Sequence, residues 1–457
     1  MDNNKSKLAI APVNRLLLTM GMPMILSMML QAAYNIVDSI FVANIPDTGE
    51  AALNALTLAF PVQMLIVAVG IGTGVGANAL LSKSLGQGDT EKAGRTAGNG
   101  IFLATLIFIA FLLFGLLGAD TYIASQTENS LIAGMAESYL KICCCFSFGI
   151  AYFSIFEKLL QATGRAVYST IAQISGAVCN IILDPVLIFG YFGLPAMGVN
   201  GAAYATVIGQ IISFIVALTA HIRVNKEVKN GLRYMKPSGS IIKAIYAIGI
   251  PAIIAQALMS LMTYMLNVIF VQINENVVTA YGLYYKIQQF VLFAAFGLRD
   301  AITPVVSFNH GMGSRERVKD GVKYGMKYTL IIMLAGSVLL ELLAGPFSSI
   351  FGLSGETAGL CVSAIRIISV SYVFAGANIA FQGIFQALNG GLQSLVISVL
   401  RQFLLVIPVA WGFTMLVIHD AYPVWMVWLT FPIAEFLSAA AACIFMRGID
   451  RKTIQKL

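Results

Sequence analysis

The chain has 457 residues, of which 58% are hydrophobic and 11% charged, with a formal net charge of +7. Soluble domains carry about 25% charged residues, so this composition excludes a soluble globular protein and predicts an all-α, polytopic membrane protein. The six cysteines form no CxxC pair, so neither a disulfide framework nor a cysteine metal site is expected.

Twelve apolar stretches follow in chain order, centred near Leu30, Val67, Ile107, Ile150, Leu183, Ile211, Leu261, Phe293, Met333, Val373, Val406 and Phe436. Each is long enough to cross about 30 Å of hydrocarbon as a helix. No small-residue cleavage signal follows the first, which is therefore expected to stay as a span. With both termini placed in the cytosol, 23 of the 28 Lys and Arg fall in cytosolic segments. The outer loops (44–54, 119–134, 192–200, 274–279, 345–357 and 419–423) hold none. The basic excess is thus a topology signal rather than a nucleic-acid surface.

The longest polar connection, Arg223–Lys243, separates six spans from six. It predicts an N-terminal lobe over 1–230 and a C-terminal lobe over 231–457. The lobes repeat one another: Gly86-Gln-Gly88 returns as Gly311-Met-Gly313, Lys141 as Arg366 and Gln161-Ala162 as Gln386-Ala387, all at an offset of 225. Pro23, read as opening the first span, pairs with Pro251, read as opening the seventh. Six spans per half predict parallel repeats, with a cleft between them.

Polar residues inside spans mark function, because an acid at membrane depth costs a few kcal/mol. In the first span, Tyr34 and Asp38 share a helix face, with Asn35 beside them. In the fifth, Asn180 and Asp184 stand one turn apart, and Pro185 frees a backbone carbonyl one turn back. Carboxylate, amide and carbonyl oxygens suit a hard cation such as Na⁺ at Asp38, Asn180 and Asp184, or a proton shared between the two acids. Glu157 and Gln161 stand a turn apart near the cytosolic end of the fourth span, either lining the same cavity or marking the interface. Arg299-Asp300 in the eighth span is read as an intrahelical or gating pair, or, the favoured reading, as cavity-lining. Glu341 and Glu435 are assigned to helix ends or packing contacts, and Lys141 and Arg366 to the interface. Trp411, Trp425 and Trp428 read as interface anchors. The run Gly70-Ile-Gly72-Thr-Gly74-Val-Gly76 lacks a following Lys-Ser/Thr and lies in a span, so it reads as a helix-packing surface rather than a phosphate loop.

Together the twelve spans, the intramembrane Asp of the first, Asn-x-x-x-Asp-Pro in the fifth and the Gly-x-Gly loops resemble the MATE (multidrug and toxic compound extrusion) family. The strings 180–190 and 198–203 look most like its MepA-type branch. The resemblance covers essentially the whole chain. It implies two bundles around a cleft, alternating access, and export of bulky organic cations driven by inward H⁺ or Na⁺, without a cofactor. It places Asp38, Asn180 and Asp184 in a cation site of the N-terminal lobe, with Tyr34 and Thr206 nearby. The chain departs from members that carry an acid in the seventh span, since 248–273 contains none. Lipophilic cations and the bilayer are the expected partners of a chain working alone in the cell membrane. The alternative is a flippase for a lipid-linked precursor, which calls for basic cavity residues; Arg299 and Arg401 are the mid-span candidates. An intramembrane enzyme is not expected, because no catalytic arrangement is evident.

Overall fold

The computed structural model describes residues 7–350, 355–419 and 422–457, apart from the side chains of 35, 36 and 348–350. Among the described residues ten helices are long and apolar enough to span a membrane, and two bent pairs bring the total to twelve. Spans 1 to 3 are Val13–Ala43, Gly49–Gly86 and Thr90–Leu117. Span 4 is the pair Ser130–Cys145 and Phe148–Ala162, bent by 46°. Spans 5 to 9 are Ala166–Phe189, Val199–Val224, Gly239–Phe270, Glu275–Gly311 and Arg315–Ile350. Span 10 is the pair Gly355–Ser369 and Tyr372–Ala387, bent by 52°. Span 11 runs Gly391–Val399, a π-helical turn Leu400–Leu404, then Val406–Ile418; span 12 is Thr430–Lys452.

Hydrogen bonding repeats along with the sequence. Ser82 Oγ donates to the carbonyl of Ala162 at 3.0 Å, and Ser307 Oγ to that of Ala387 at 3.0 Å. Gln161 Nε2 donates to Ser169 Oγ at 3.5 Å, and Gln386 Nε2 to Ser394 Oγ at 3.2 Å. Each pair is related by 225 residues. The bends of spans 4 and 10 also correspond. Each has a serine at the break, and Ser371 Oγ donates to the carbonyl of Ile368 at 2.6 Å, a back-bond of the kind that bends helices.

The chain divides into two compact units. The first holds 1–10 and 26–253, the second 11–25 and 254–457. The division therefore falls within spans 1 and 7 rather than at the expected boundary of 230/231. It lies just past Pro23 and Pro251, which sit inside their helices instead of opening them. Glycine explains the displacement. In the first unit a Cβ on Gly76 would come within 2.1 Å of the Ile245 carbonyl oxygen, and one on Gly72 within 2.9 Å of that of Gly249. Only bare backbone lets span 2 seat the first half of span 7 this closely. In the second unit a Cβ on Gly297 would meet the backbone nitrogen of Ile25 at 2.6 Å, which seats the first half of span 1.

Candidate functional site

Small residues build the first unit's polar site. Gly201, Ala205, Gly209 and Ser213 recur every four residues along span 6, giving that helix a smooth stripe. Span 5 lies against it. A Cβ on Gly209 would be 2.7 Å from the Gly176 carbonyl oxygen, and one on Gly176 2.4 Å from that of Gly209. This reciprocal contact holds the face of span 5 bearing Asn180 and Asp184 against the backbone of span 6. Both are buried, Asp184 completely.

The site's contacts follow from that seating. The Asn180 amide donates to Asp184 Oδ1 at 3.3 Å and lies 3.5 Å from Thr206 Oγ1. Turned over, it still donates to Asp184 at 3.2 Å, while its carbonyl accepts from the Thr206 backbone N–H at 3.2 Å. Asp38, half-buried on span 1, is in side-chain hydrogen-bond reach of Asp184. Its Oδ1 is buried without a hydrogen-bond partner. Tyr34 lies within the electrostatic reach of both acids. The five residues Tyr34, Asp38, Asn180, Asp184 and Thr206 are thus brought together, while the Asn35 side chain lies outside the described residues.

Two residues escaped the sequence reading. Tyr139, on the first half of span 4, is buried and lies within electrostatic reach of Asp38. Gln63 of span 2 donates to Tyr139 Oη at 3.0 Å and reaches Cys143 Sγ at 3.4 Å. Gln63 was legible as an amide within the otherwise apolar stretch 58–69, and Tyr139 and Cys143 by their spacing of four.

The remaining candidates sit elsewhere. Glu157 and Gln161 are buried, as is Lys158. Gln161 Nε2 donates to Glu157 Oε1 at 3.0 Å, and Lys158 Nζ donates to Gln161 Oε1 at 3.0 Å. In the second unit Arg299 is paired with Asp300 at 2.9 Å and lies 4.9 Å above the Phe296 ring. Glu435 does not sit at a helix end or in a bare packing contact: Arg401 Nη2 reaches its Oε1 at 2.5 Å, and Asn378 Nδ2 its Oε2 at 2.7 Å. Trp428 is no interface anchor either, being fully buried with Nε1 donating to Ser363 Oγ at 3.2 Å. Lys141 does meet solvent-side partners, Asp120 at 2.6 Å and Glu137 at 2.7 Å.

Long cations, Lys158 buried and Arg299 partly buried, occupy equivalent places in the two units through exchanged residues. In the first, Lys158 of span 4 lies over Gly74 of span 2, whose Cβ would meet Lys158 Cγ at 2.7 Å. In the second, Arg299 of span 8 lies over Gly383 of span 10, whose Cβ would meet Arg299 Cγ at 2.8 Å. Positions 74 and 299, like 158 and 383, are 225 apart. Each unit keeps one long cation and one glycine, supplied by opposite helices.

The MatE family model matches the chain twice, over 23–186 and over 251–411. The chain belongs to the MatE family. The two matches begin at Pro23 and Pro251 and correspond to the two sequence repeats. Among relatives of this MatE chain, the multidrug export protein MepA of Staphylococcus saprophyticus is 23% identical over 437 residues, 95% of this chain and 94% of that one. MepA of Staphylococcus aureus is 24% identical over 445 residues, 97% and 96% of the two chains. A solved outward-facing conformation of a multidrug resistance MATE family transporter of the MOP superfamily superposes with a TM-score of 0.91 at 24% identity, covering 99% of each chain. A MOP superfamily transporter from Pyrococcus furiosus, described as having a binding pocket of reverse polarity that suggests a different function, gives 0.87 at 24% identity over 96% of each. These structures establish the fold of the MatE chain as all-helical.

Proposed function

We propose that this protein is a multidrug efflux antiporter that exports bulky organic cations in exchange for H⁺ or Na⁺, with both termini in the cytosol. The observation that carries the reading is the meeting of Asp38 and Asp184 inside the first unit, with Asn180 bonded to one of them. Two carboxyl groups in contact at membrane depth call for a shared proton or a bound cation. A site that takes up such an ion while drug leaves, and yields it on the other side, exchanges the two by alternating access. The MepA relatives, which are named as multidrug export proteins, support the same reading. The positive-inside distribution supports the orientation.

A lipid-phosphate flippase draws no support from the arginines, because Arg299 and Arg401 are each held by an acid, Asp300 and Glu435. The deciding experiment uses proteoliposomes with H⁺ and Na⁺ gradients imposed separately. Asp38→Asn or Asp184→Asn should abolish gradient-driven ethidium transport. Each should also abolish the displacement of bound ethidium by acid or Na⁺, with the protein still folded. Wild-type transport by Asp38→Asn would remove the site from the mechanism. Equal transport of anionic amphiphiles by the wild type would favour the flippase.

A further inference from the structure

The acid pair stands at one end of a longer polar track. On span 5, Ser169, Gln173, Asn180 and Asp184 follow at steps of four, seven and four residues, which keeps them on one helix face. On span 1, Ser27, Gln31, Tyr34 and Asp38 follow at four, three and four. The stripes are joined where Ser27 Oγ donates to Gln173 Oε1 at 2.6 Å and Gln173 Nε2 to Gln31 Oε1 at 2.8 Å. One turn before Gln173, Ser169 accepts from Gln161, which also bonds Glu157 and Lys158. Lys158 Nζ is 4.0 Å from Glu157 Oε2. Along span 5 alone the track covers about 22 Å at 1.5 Å per residue. It ends beside the loop 163–165, on the cytosolic side in the orientation proposed above.

The second unit shows which parts of this the fold requires. At the same offset Gln386, Ser394 and Ser398 replace Gln161, Ser169 and Gln173, and Gln382 Nε2 donates to Ser398 Oγ at 2.9 Å. The amide and hydroxyl scaffold is therefore common to both copies. The acids along it, and the amide beside one of them, are not: Gln382 stands at the place of Glu157, Leu405 at that of Asn180 and Val409 at that of Asp184. A packing requirement would act on both copies alike. A buried acid and ammonium are expensive to desolvate; the second copy places its own charged pair elsewhere, at Arg401 and Glu435, and carries glutamine at the position of Glu157. The other charged and titratable groups at that end are engaged, Arg165 with Glu227 at 3.3 Å and His221 with Asn225 and Asn230, each at 3.0 Å.

Resting on the antiport reading, we propose that Glu157 is a second station for the coupling ion, joined to Asp38 and Asp184 by this track, with Lys158 as a tethered ammonium that the arriving ion displaces. Amide and hydroxyl oxygens along the way supply ligands for a hard cation, or hydrogen-bonded positions for water carrying a proton. Lys158 has a place to go, since Gln161 Oε1 already accepts from it. The station and its ammonium would couple arrival at the inner end to release, so that ions do not leak through between turnovers.

The test is Glu157→Gln in proteoliposomes, with ethidium as the probe. The fold carries glutamine at the equivalent position, and Glu157→Asp serves as the acid-retaining control if Glu157→Gln melts early. Glu157→Gln should lose roughly tenfold or more of gradient-driven transport, while ethidium affinity and its displacement by H⁺ or Na⁺ stay within about twofold of wild type. Glu157→Asp should recover most of the rate. Two results overturn the inference: wild-type transport by Glu157→Gln under a gradient that Asp38→Asn cannot use, or loss of ion displacement in Glu157→Gln, which would place Glu157 in the primary site. Should Asp38→Asn itself transport normally, the antiport reading falls first.

Discussion

The contact between Gly176 and Gly209 is the most sensitive mechanical point of the candidate site. In Gly176→Ala the new Cβ would lie 2.4 Å from the Gly209 carbonyl oxygen and 1.9 Å from Ser213 Oγ. The hydroxyl can rotate away, but the carbonyl belongs to a packed helix. Restoring ordinary van der Waals separation requires spans 5 and 6 to part by about 1.0–1.6 Å. That displacement acts directly on the bridge from Asn180 to Thr206, which spans 3.2 Å in its backbone form. Overpacking of this kind costs about 1–3 kcal/mol of stability. Loss of a hydrogen bond that orients a ligand to a charged group costs about 1.5–3 kcal/mol, or roughly a ten- to hundredfold loss of ion affinity. The assay is displacement of bound ethidium by Na⁺ and by acid, read beside the melting temperature. Gly359→Ala, whose Cβ would meet nothing within 4 Å, is the control and should leave both unchanged. A wild-type displacement curve for Gly176→Ala would refute the claim that this contact positions Asn180.

Two further predictions concern topology and the second unit. Cysteine at Glu50 should gain reactivity toward an impermeant thiol reagent from outside, and at Lys226 only from inside, above the background of the native thiols. Both positions are exposed, whereas Gly49 is pressed against the Ala43 carbonyl, and reversed labelling would invert every loop. In the pair Arg401–Glu435, Arg401→Met alone should destabilise by about 3–5 kcal/mol, because it leaves a largely buried carboxylate bonded to Asn378 but without its cation. Adding Glu435→Gln should recover most of that in thermal unfolding; a double variant no better than the single would show that the pair is not an energetic unit.

The spans and the acid site were legible because both are local signals. Hydropathy over a window finds an apolar helix, and a spacing of four puts Asn180 on the same face as Asp184 whatever the tertiary structure. Asp38 was legible through the cost of its charge. What escaped depends on distant pairing. Gln63 and Tyr139 are 76 residues apart, and Arg401 was read only as a mid-span candidate for a phosphate contact because nothing local announced Glu435. The bends at 146–147 and 370–371 contain neither Pro nor Gly, so no strong breaker marked them. The exchange of Lys158 and Gly74 for Gly383 and Arg299 was hidden for a different reason. Aligning the repeats sets a lysine against a glycine, which reads as a mismatch, although the pair of helices conserves the sum.

The passage of the chain from one unit to the other within spans 1 and 7 also bears on how the protein is made. Residues 11–25 are synthesised well before the elements that seat them, for their seat at Ile25 is Gly297, and a Cβ on Gly21 would press against Leu298. At about 5–20 residues per second, that seat is synthesised roughly 15–55 s later. The first unit is likewise incomplete until residue 253 has been inserted. Neither half of the gene, cut at the linker, encodes a whole unit: residues 1–230 lack the helix that fills the groove at Gly72 and Gly76, and residues 231–457 lack the one that covers Gly297. Insertion machinery or lipid must shelter both grooves in the meantime.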